Sequence, residues 1–349
     1  MRVVLFCQNS YSFGILEPIK VVLEEKSHDY IWYVADKILD EFPYQKENFT
    51  NKITDVKKFQ SDVIFVPGNA VPHYLRGLKT QIFHGLAGEK KGHFRIRHYF
   101  DLYLTQGPYF TEKFLELKNK YNDFDVIETG WPKLDIYAKN QTIINKEKTK
   151  LLHNCSAKKI ILYAPTFSPK LTSAPHLFNS LKKLANNPDY LILIKFHPLM
   201  DSQMILLYRK LATTSEQIIY ETNNNIIKFL LMSDLLISDT SSVIYEFLLL
   251  DKPVITFNNI SNNIQWENSN DYSKLIKLVE INLSKDPFAG LRSNIRQHFH
   301  PYSDGKSALR MVHAVENYIL THGIPSRRKL SLLRRLKINV IFGKQPSEN

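Results

Sequence analysis

Apolar residues fall into short runs separated by stretches of helical periodicity. In the first half, Arg2–Cys7, Tyr30–Ala35, Asp62–Val66, Thr80–His84 and Asp101–Thr105 read as strands, and Gly14–Leu23 and Phe110–Lys120 read as helices. Continuous apolar runs, rather than alternating ones, predict parallel strands covered on both faces. A polar, lysine-rich stretch, Lys139–Lys150, reads as a linker and the first turns of a helix. The pattern then restarts. Lys159–Ala164, Tyr190–Phe196, Ile218–Tyr220, Leu235–Ser238 and Pro253–Phe257 read as strands, and Ser242–Leu250, Ser273–Leu283 and Lys306–Leu320 as helices. The expected architecture is α/β: two Rossmann-like parallel-sheet domains, 1–145 and 146–325, facing across a cleft, followed by a basic amphipathic tail, 326–349.

A chain of 349 residues suits two ordinary cores. The net charge of +12 points to anionic partners such as nucleotides, phosphorylated polymers or an anionic membrane face. Nucleic acid is disfavoured, because aromatic residues do not interleave with the basic ones as stacking platforms do. Cys7 and Cys155 are far apart and lack metal-ligand spacing, so neither a disulfide scaffold nor a metal site is expected. Arg2–Cys7 is too short for a signal segment, and no run of about 20 apolar residues occurs, which predicts a cytoplasmic protein. In the last segment Arg327, Arg328, Lys329, Arg334, Arg335, Lys337 and Lys344 alternate with leucines and isoleucines. That suits the cytoplasmic surface of an anionic inner membrane, or a helix docked on the protein with a solvated basic face.

In doubly wound sheets ligands bind beyond the carboxyl ends of strands, and the chemistry-bearing residues fall there. Asp239-Thr240-Ser241-Ser242 stands between an apolar strand and a helix. Such a turn aims backbone N–H groups and a helix dipole at one spot and is either a phosphate seat or a plain cap. Glu246, about one helical turn on, is placed to accept ribose hydroxyls. His84-Gly85 and His197-Pro198 each end a strand. A histidine near pKa 6.5 can take a proton from an attacking hydroxyl, worth about 10²–10⁴-fold in rate, or donate to a phosphate oxygen. Lys195, two positions before His197 and so on the same face of the strand, and Thr166 stand at two of these exits, on the donor side with Gly85 and Pro198. In Asp304-Gly305-Lys306-Ser307 a lysine opens a helix, which opposes the dipole unless an anion lies nearby. Lys90, Lys91 and Arg95 form a basic loop suited to a phosphate-bearing acceptor, with Gly14 at the mouth of the first helix beside them on the acceptor side.

Phe83-His84-Gly85, Glu128–Asp135, Tyr163–Phe167, Lys195–Pro198, the block from Ser233 to Val254, and Asp304–Ser307, taken in order, resemble the CDP-glycerol glycerophosphotransferase family of teichoic-acid-type polymer synthesis. The first motif departs from it: family members often carry Trp-His-Gly-Thr where this chain has Phe83-His84-Gly85-Leu86. The resemblance implies a GT-B fold and metal-independent transfer of an alditol phosphate from a CDP-alditol to a glycan or lipid-linked hydroxyl. His84 would be the base and His197 the partner of the donor phosphates. The serine-rich turn and the Asp-Gly-Lys-Ser segment would hold the diphosphate. Two alternatives use similar phosphate seats: a nucleotide-sugar glycosyltransferase and a UDP-GlcNAc 2-epimerase-like isomerase. The isomerase would need carboxylates at the first-half strand ends, where His84, Lys90 and Lys91 stand instead. A non-catalytic binding module is the remaining reading.

Overall fold

The computed structural model describes residues 1–83, 85, 93–223 and 226–343. The chain forms two compact units. The first comprises Met1–Ala138 with His298–Asn349, and the second Lys139–Gln297.

The first unit is built on seven parallel strands: β1 (Arg2–Cys7), β2 (Asp29–Val34), β3 (Phe49–Thr50), β4 (Val63–Val66), β5 (Leu78–Gln81), β6 (Leu102–Thr105) and β7 (Asp125–Glu128). Their order is β3-β2-β1-β4-β5-β6-β7. Side chains alternate across a strand, and β1 feeds a core on each face. Val3, Leu5 and Cys7 join one cluster, Val4 and Phe6 the other. Helices α1 (Tyr11–Glu25), α2 (Ile53–Phe59) and α3 (Pro108–Tyr121) cover the sheet.

The second unit starts within α4 (Asp135–Asn154). Its strands are β8 (Lys159–Tyr163), β9 (Tyr190–Ile194), β10 (Ile218–Tyr220), β11 (Leu235–Ser238), β12 (Val254–Phe257) and β13 (Glu267–Ser269). They lie parallel in the order β10-β9-β8-β11-β12-β13. Between them run α5 (Ala174–Leu184), α6 (Ser202–Ala212), α7 (Ile226–Met232) and α8 (Val243–Leu249), and α9 (Leu275–Ser284) follows β13. One core joins Ile161, Ile192 and Ile237 to apolar residues of α5, α6 and α9.

The chain returns to the first unit within α10 (Ala289–Phe299) and ends in α11 (Ser307–His322) and α12 (Leu332–Phe342). This differs from the expected division at 146 and 325. Met311, Val312 and Val315 of α11 are buried in one core of the first unit, and Leu330 and Ile338 in the other. Each such side chain stabilises by roughly 1.5–3 kcal/mol, so these helices belong to the first sheet. The expected linker is also corrected. Lys139–Lys150 lies inside α4, and two of its charges are paired: Lys148 with Asp234 at 2.7 Å and Glu147 with Lys228 at 2.8 Å. The strand expected at Thr80–His84 is β5, which ends at Gln81.

Candidate functional site

In the second sheet the strand order reverses between β8 and β11, the position at which open α/β sheets bind ligands. The two strand exits there are cross-tied. Ser238 donates from Oγ to the Ala164 carbonyl at 2.7 Å. Asp239 is fully buried, and its carboxylate accepts from the amides of Thr166, Ser173 and Thr240 at 2.7–2.8 Å and from the Ser173 hydroxyl at 3.0 Å. Burial raises its pKa, while these donors pull it back down. With both oxygens used inside the protein, Asp239 braces two loops and does not face a ligand. This corrects its expected place among the donor contacts.

Thr240, Ser241 and Ser242 follow as the mouth of α8. The N-cap position is Ser242, and its exposed side chain makes no capping hydrogen bond. Ser241 Oγ accepts from the Val243 amide at 3.4 Å. Thr240 Oγ1 is buried and has no hydrogen-bond partner among the described residues. Glu246 is half-buried in the first turn of α8. Asn259, after β12, donates to the Asp239 carbonyl and tightens the same turn.

The exit of β9 presents His197. Its Nδ1 accepts from the Leu199 amide at 3.1 Å, and its ring lies 4.5 Å from that of Phe167. An accepting Nδ1 carries no proton, so the neutral ring holds its proton on Nε2, as a donor. Partial burial, then the nearby Lys195, lowers its pKa and favours that neutral form. His197 and Pro198 are exposed, whereas Lys195 is buried and donates from Nζ to the Phe196 carbonyl at 3.1 Å. The expectation that Lys195 shares the outward face of His197 is therefore corrected.

In the first unit, His84, Lys90 and Lys91 lie outside the described residues. Gly85 is half-buried, and its carbonyl accepts from Gln106 Nε2 at 2.8 Å. The Phe83 carbonyl accepts from the indole Nε1 of Trp131 at 2.8 Å. The Trp131 amide in turn donates to His300 Nε2 at 2.9 Å. That bond requires an unprotonated Nε2, and burial pushes the His300 pKa down to about 4. Gly14 lies in the first turns of α1, with open space where a side chain would stand, and Arg95 is exposed.

Asp304–Ser307 also belongs to the first unit. Where a bound phosphate was expected at the start of α11, the carboxylate of Asp135 accepts from the amides of Ser307 at 3.0 Å and Ala308 at 2.7 Å. Ser307 is buried, Gly305 is left-handed (φ +68°), and Asp304 pairs with Arg310 at 2.8 Å. Lys306 is exposed. Asp304, Gly305 and Ser307 thus fasten α11 to the exit of β7, a correction to their expected role as a phosphate seat.

Sequence reasoning assigned no role to Gln106, Trp131, His300, Phe167 or Asn259. Gln106 ends β6 as His197 follows β9, so the same strand-exit rule points to it. Trp131 and His300 act through contacts 169 positions apart, which no local pattern reveals.

Residues 48–262 match the model of the family described as CDP-glycerol:poly(glycerophosphate) glycerophosphotransferase. The chain is 27% identical over 229 residues to the teichoic acid glycerol-phosphate primase of Bacillus subtilis (strain 168), covering 62% of this chain and 58% of that protein. It is 29% identical over 205 residues to the teichoic acid ribitol-phosphate polymerase TarL of Staphylococcus aureus (strain NCTC 8325 / PS 47), covering 53% and 34%. The matches thus take in between 34% and 58% of the length of these two relatives. In fold the chain is similar to the wall teichoic acid polymerase TagF (TM-score 0.65, 17% identity, 92% of this chain and 89% of that one). It is also similar to a UDP-GlcNAc 2-epimerase from Neisseria meningitidis bound to UDP-GlcNAc (TM-score 0.65, 14% identity, 91% and 100%).

Proposed function

Because the chain belongs to the CDP-glycerol:poly(glycerophosphate) glycerophosphotransferase family, we propose that it transfers glycerol phosphate, or a related alditol phosphate, from a CDP-alditol to a hydroxyl of a glycan or lipid-linked acceptor. The family match carries this reading, and its span includes His84, Thr166, His197 and Thr240–Glu246. The acceptor oxygen attacks the phosphorus that bears the glycerol. The bond to the bridging oxygen breaks, and CMP leaves with that oxygen. His84 takes the hydroxyl proton as general base. His197 donates from Nε2 to the donor phosphates as charge shifts onto CMP. Thr166 and the hydroxyls of Thr240, Ser241 and Ser242 line the donor side, with Glu246 toward the ribose. These roles call for no metal. Gly14, Lys90, Lys91 and Arg95 serve an anionic acceptor. The protein works at the cytoplasmic face of the inner membrane, held through α12.

The test is thermal unfolding with CDP-glycerol, CDP-ribitol, CMP or UDP-N-acetylglucosamine, followed by CMP release in the presence of poly(glycerophosphate). A ligand at 100 times its Kd stabilises the folded state by about 2.7 kcal/mol. Stabilisation by the cytidine nucleotides, with CMP release that depends on acceptor, is the expected outcome. Stabilisation by the UDP-sugar alone would transfer the reading to sugar chemistry.

A further inference from the structure

We propose that Phe167 is a positioning residue that aims the His197 imidazole at the donor phosphates. The inference rests on His197 donating from Nε2 to the donor. Strands β8 and β9 are neighbours, with Tyr163 opposite Ile194. Four residues beyond Tyr163 and three beyond Ile194, Phe167 and His197 meet, their ring centroids 4.5 Å apart and their planes inclined at 31°. Such a ring contact is favourable beyond the area it buries. The histidine needs it. Its carbonyl accepts from the Met200 amide at 2.9 Å and its Nδ1 from the Leu199 amide at 3.1 Å. These bonds fix the backbone and one edge of the ring. The ring can still tilt about Nδ1, and Nε2, on the far side, moves furthest. Phe167 covers one face and limits that tilt.

Phe167 is held in turn. The amide of the preceding Thr166 donates to Oδ1 of the buried Asp239 at 2.8 Å. At the far end of the same loop, the amide and hydroxyl of Ser173 donate to Oδ2 at 2.8 and 3.0 Å. Between them the Ser168 carbonyl accepts from the amides of Leu171 and Thr172 at 3.0 and 2.9 Å. One carboxylate thus closes the loop at both ends, and burying a charge there is sustained by its four donors. The brace keeps Phe167 at a fixed distance from the exit of β9. Core packing does not account for a large aromatic at this position. Phe167 stays 39% exposed and lies outside the core of the second unit. Among the described residues its one ring contact is with His197.

The experiment measures the Kd for CDP-glycerol by titration calorimetry, and the unfolding midpoint, for Phe167→Leu, Phe167→Tyr, His197→Ala and the double variant Phe167→Leu/His197→Ala. Phe167→Leu keeps an apolar side chain and removes the flat face. Its Kd should rise about 3- to 10-fold, the worth of an aromatic pair. Phe167→Tyr restores the face and should recover most of that loss. The midpoint should hardly move in either, because the ring stands partly in solvent. The ring-current shift of the His197 Cε1 proton, identified by its absence from His197→Ala, should vanish in Phe167→Leu and persist in Phe167→Tyr. In the His197→Ala background Phe167→Leu should add no further loss, because the group it positions is gone. An undiminished loss in that background would mean that Phe167 touches the donor itself and would overturn the positioning role. A midpoint that falls with affinity in both Phe167 variants would reduce the contact to fold maintenance and overturn it too. A Phe167→Leu that binds normally beside a weakened His197→Ala would sink this inference alone. An unweakened His197→Ala would sink the donor contact on which it stands.

Discussion

At His197 a single backbone hydrogen bond decides which ring nitrogen is offered to a ligand. The Leu199 amide occupies Nδ1, leaving the proton on Nε2. Two residues earlier Lys195 carries the stronger charge but spends it on the Phe196 carbonyl. Replacing His197 with alanine should weaken CDP-glycerol binding by about 10- to 100-fold, the worth of one hydrogen bond to a charged phosphate. His197→Gln places an amide N–H near the lost Nε2 and should recover part of that, as titration calorimetry can measure. Equal losses in both would assign the effect to the contact of the ring with Phe167 rather than to its N–H. The lowered pKa keeps the ring neutral to a lower pH than an ordinary histidine, so affinity should remain flat from pH 8 down to about 7.

Among the elements, the segment from His298 to Ser307 shows what pattern reading captures and what it misses. Strands β1, β6, β8, β9 and β11 announce themselves as apolar runs, and the strand exits led to His84, His197 and the turn before α8. Lys306, read as a first-turn lysine that favours a phosphate ligand, stands at the N-cap of α11, where the carboxylate of Asp135 takes the first amides. That the anion is Asp135, rather than a substrate, depends on a contact 172 positions away. The short, half-buried β7 carries acidic residues at both ends and escaped notice. Asp239 looked like a ligand contact because sequence does not reveal that Ser173 and Thr166 fill its oxygens. The His300–Trp131 link gives the segment a measurable pH dependence. Unfolded, His300 takes up a proton near pH 6.5; folded, only near 4. Between these values the unfolded state holds more protons. Stability is therefore full above pH 6.5 and falls as pH drops to 4, by on the order of 3 kcal/mol. His300→Gln keeps an acceptor for the Trp131 amide without that proton. Urea unfolding at pH 7 and 4.5 should show a smaller loss in the variant than in the parent, and identical losses would refute the assignment.

For the molecule as a whole, net charge and α12 belong together. The docked side of α12 carries Ile338, fully buried, and Phe342 against the Phe6 ring. Arg334 is spent on the Arg97 carbonyl, and Arg328 on Asp101 and Asp123. These contacts realise the docked-helix alternative for part of the basic segment. Leu332, Leu336 and Val340, spaced four apart, form one row with Leu333 beside it, and they are 76%, 60%, 87% and 75% exposed. At 3.6 residues per turn this row falls on the side opposite Ile338. Exposed Arg327, Lys329, Arg335 and Lys337 accompany it. Among the described residues no helix is long and apolar enough to cross a membrane. An apolar row beside exposed cations suits the interface of an anionic bilayer, where each basic residue adds about 1 kcal/mol. The protein should co-sediment with vesicles containing an anionic phospholipid, less so as salt rises, and poorly with neutral ones. Changing Leu332, Leu336 and Val340 together to glutamine should abolish co-sedimentation and leave the unfolding midpoint almost unchanged, since these side chains stand mostly in solvent. Unaltered binding would reject this face. A parent protein that dimerises in sedimentation velocity, and a triple variant that does not, would instead assign the row to a second copy of the chain.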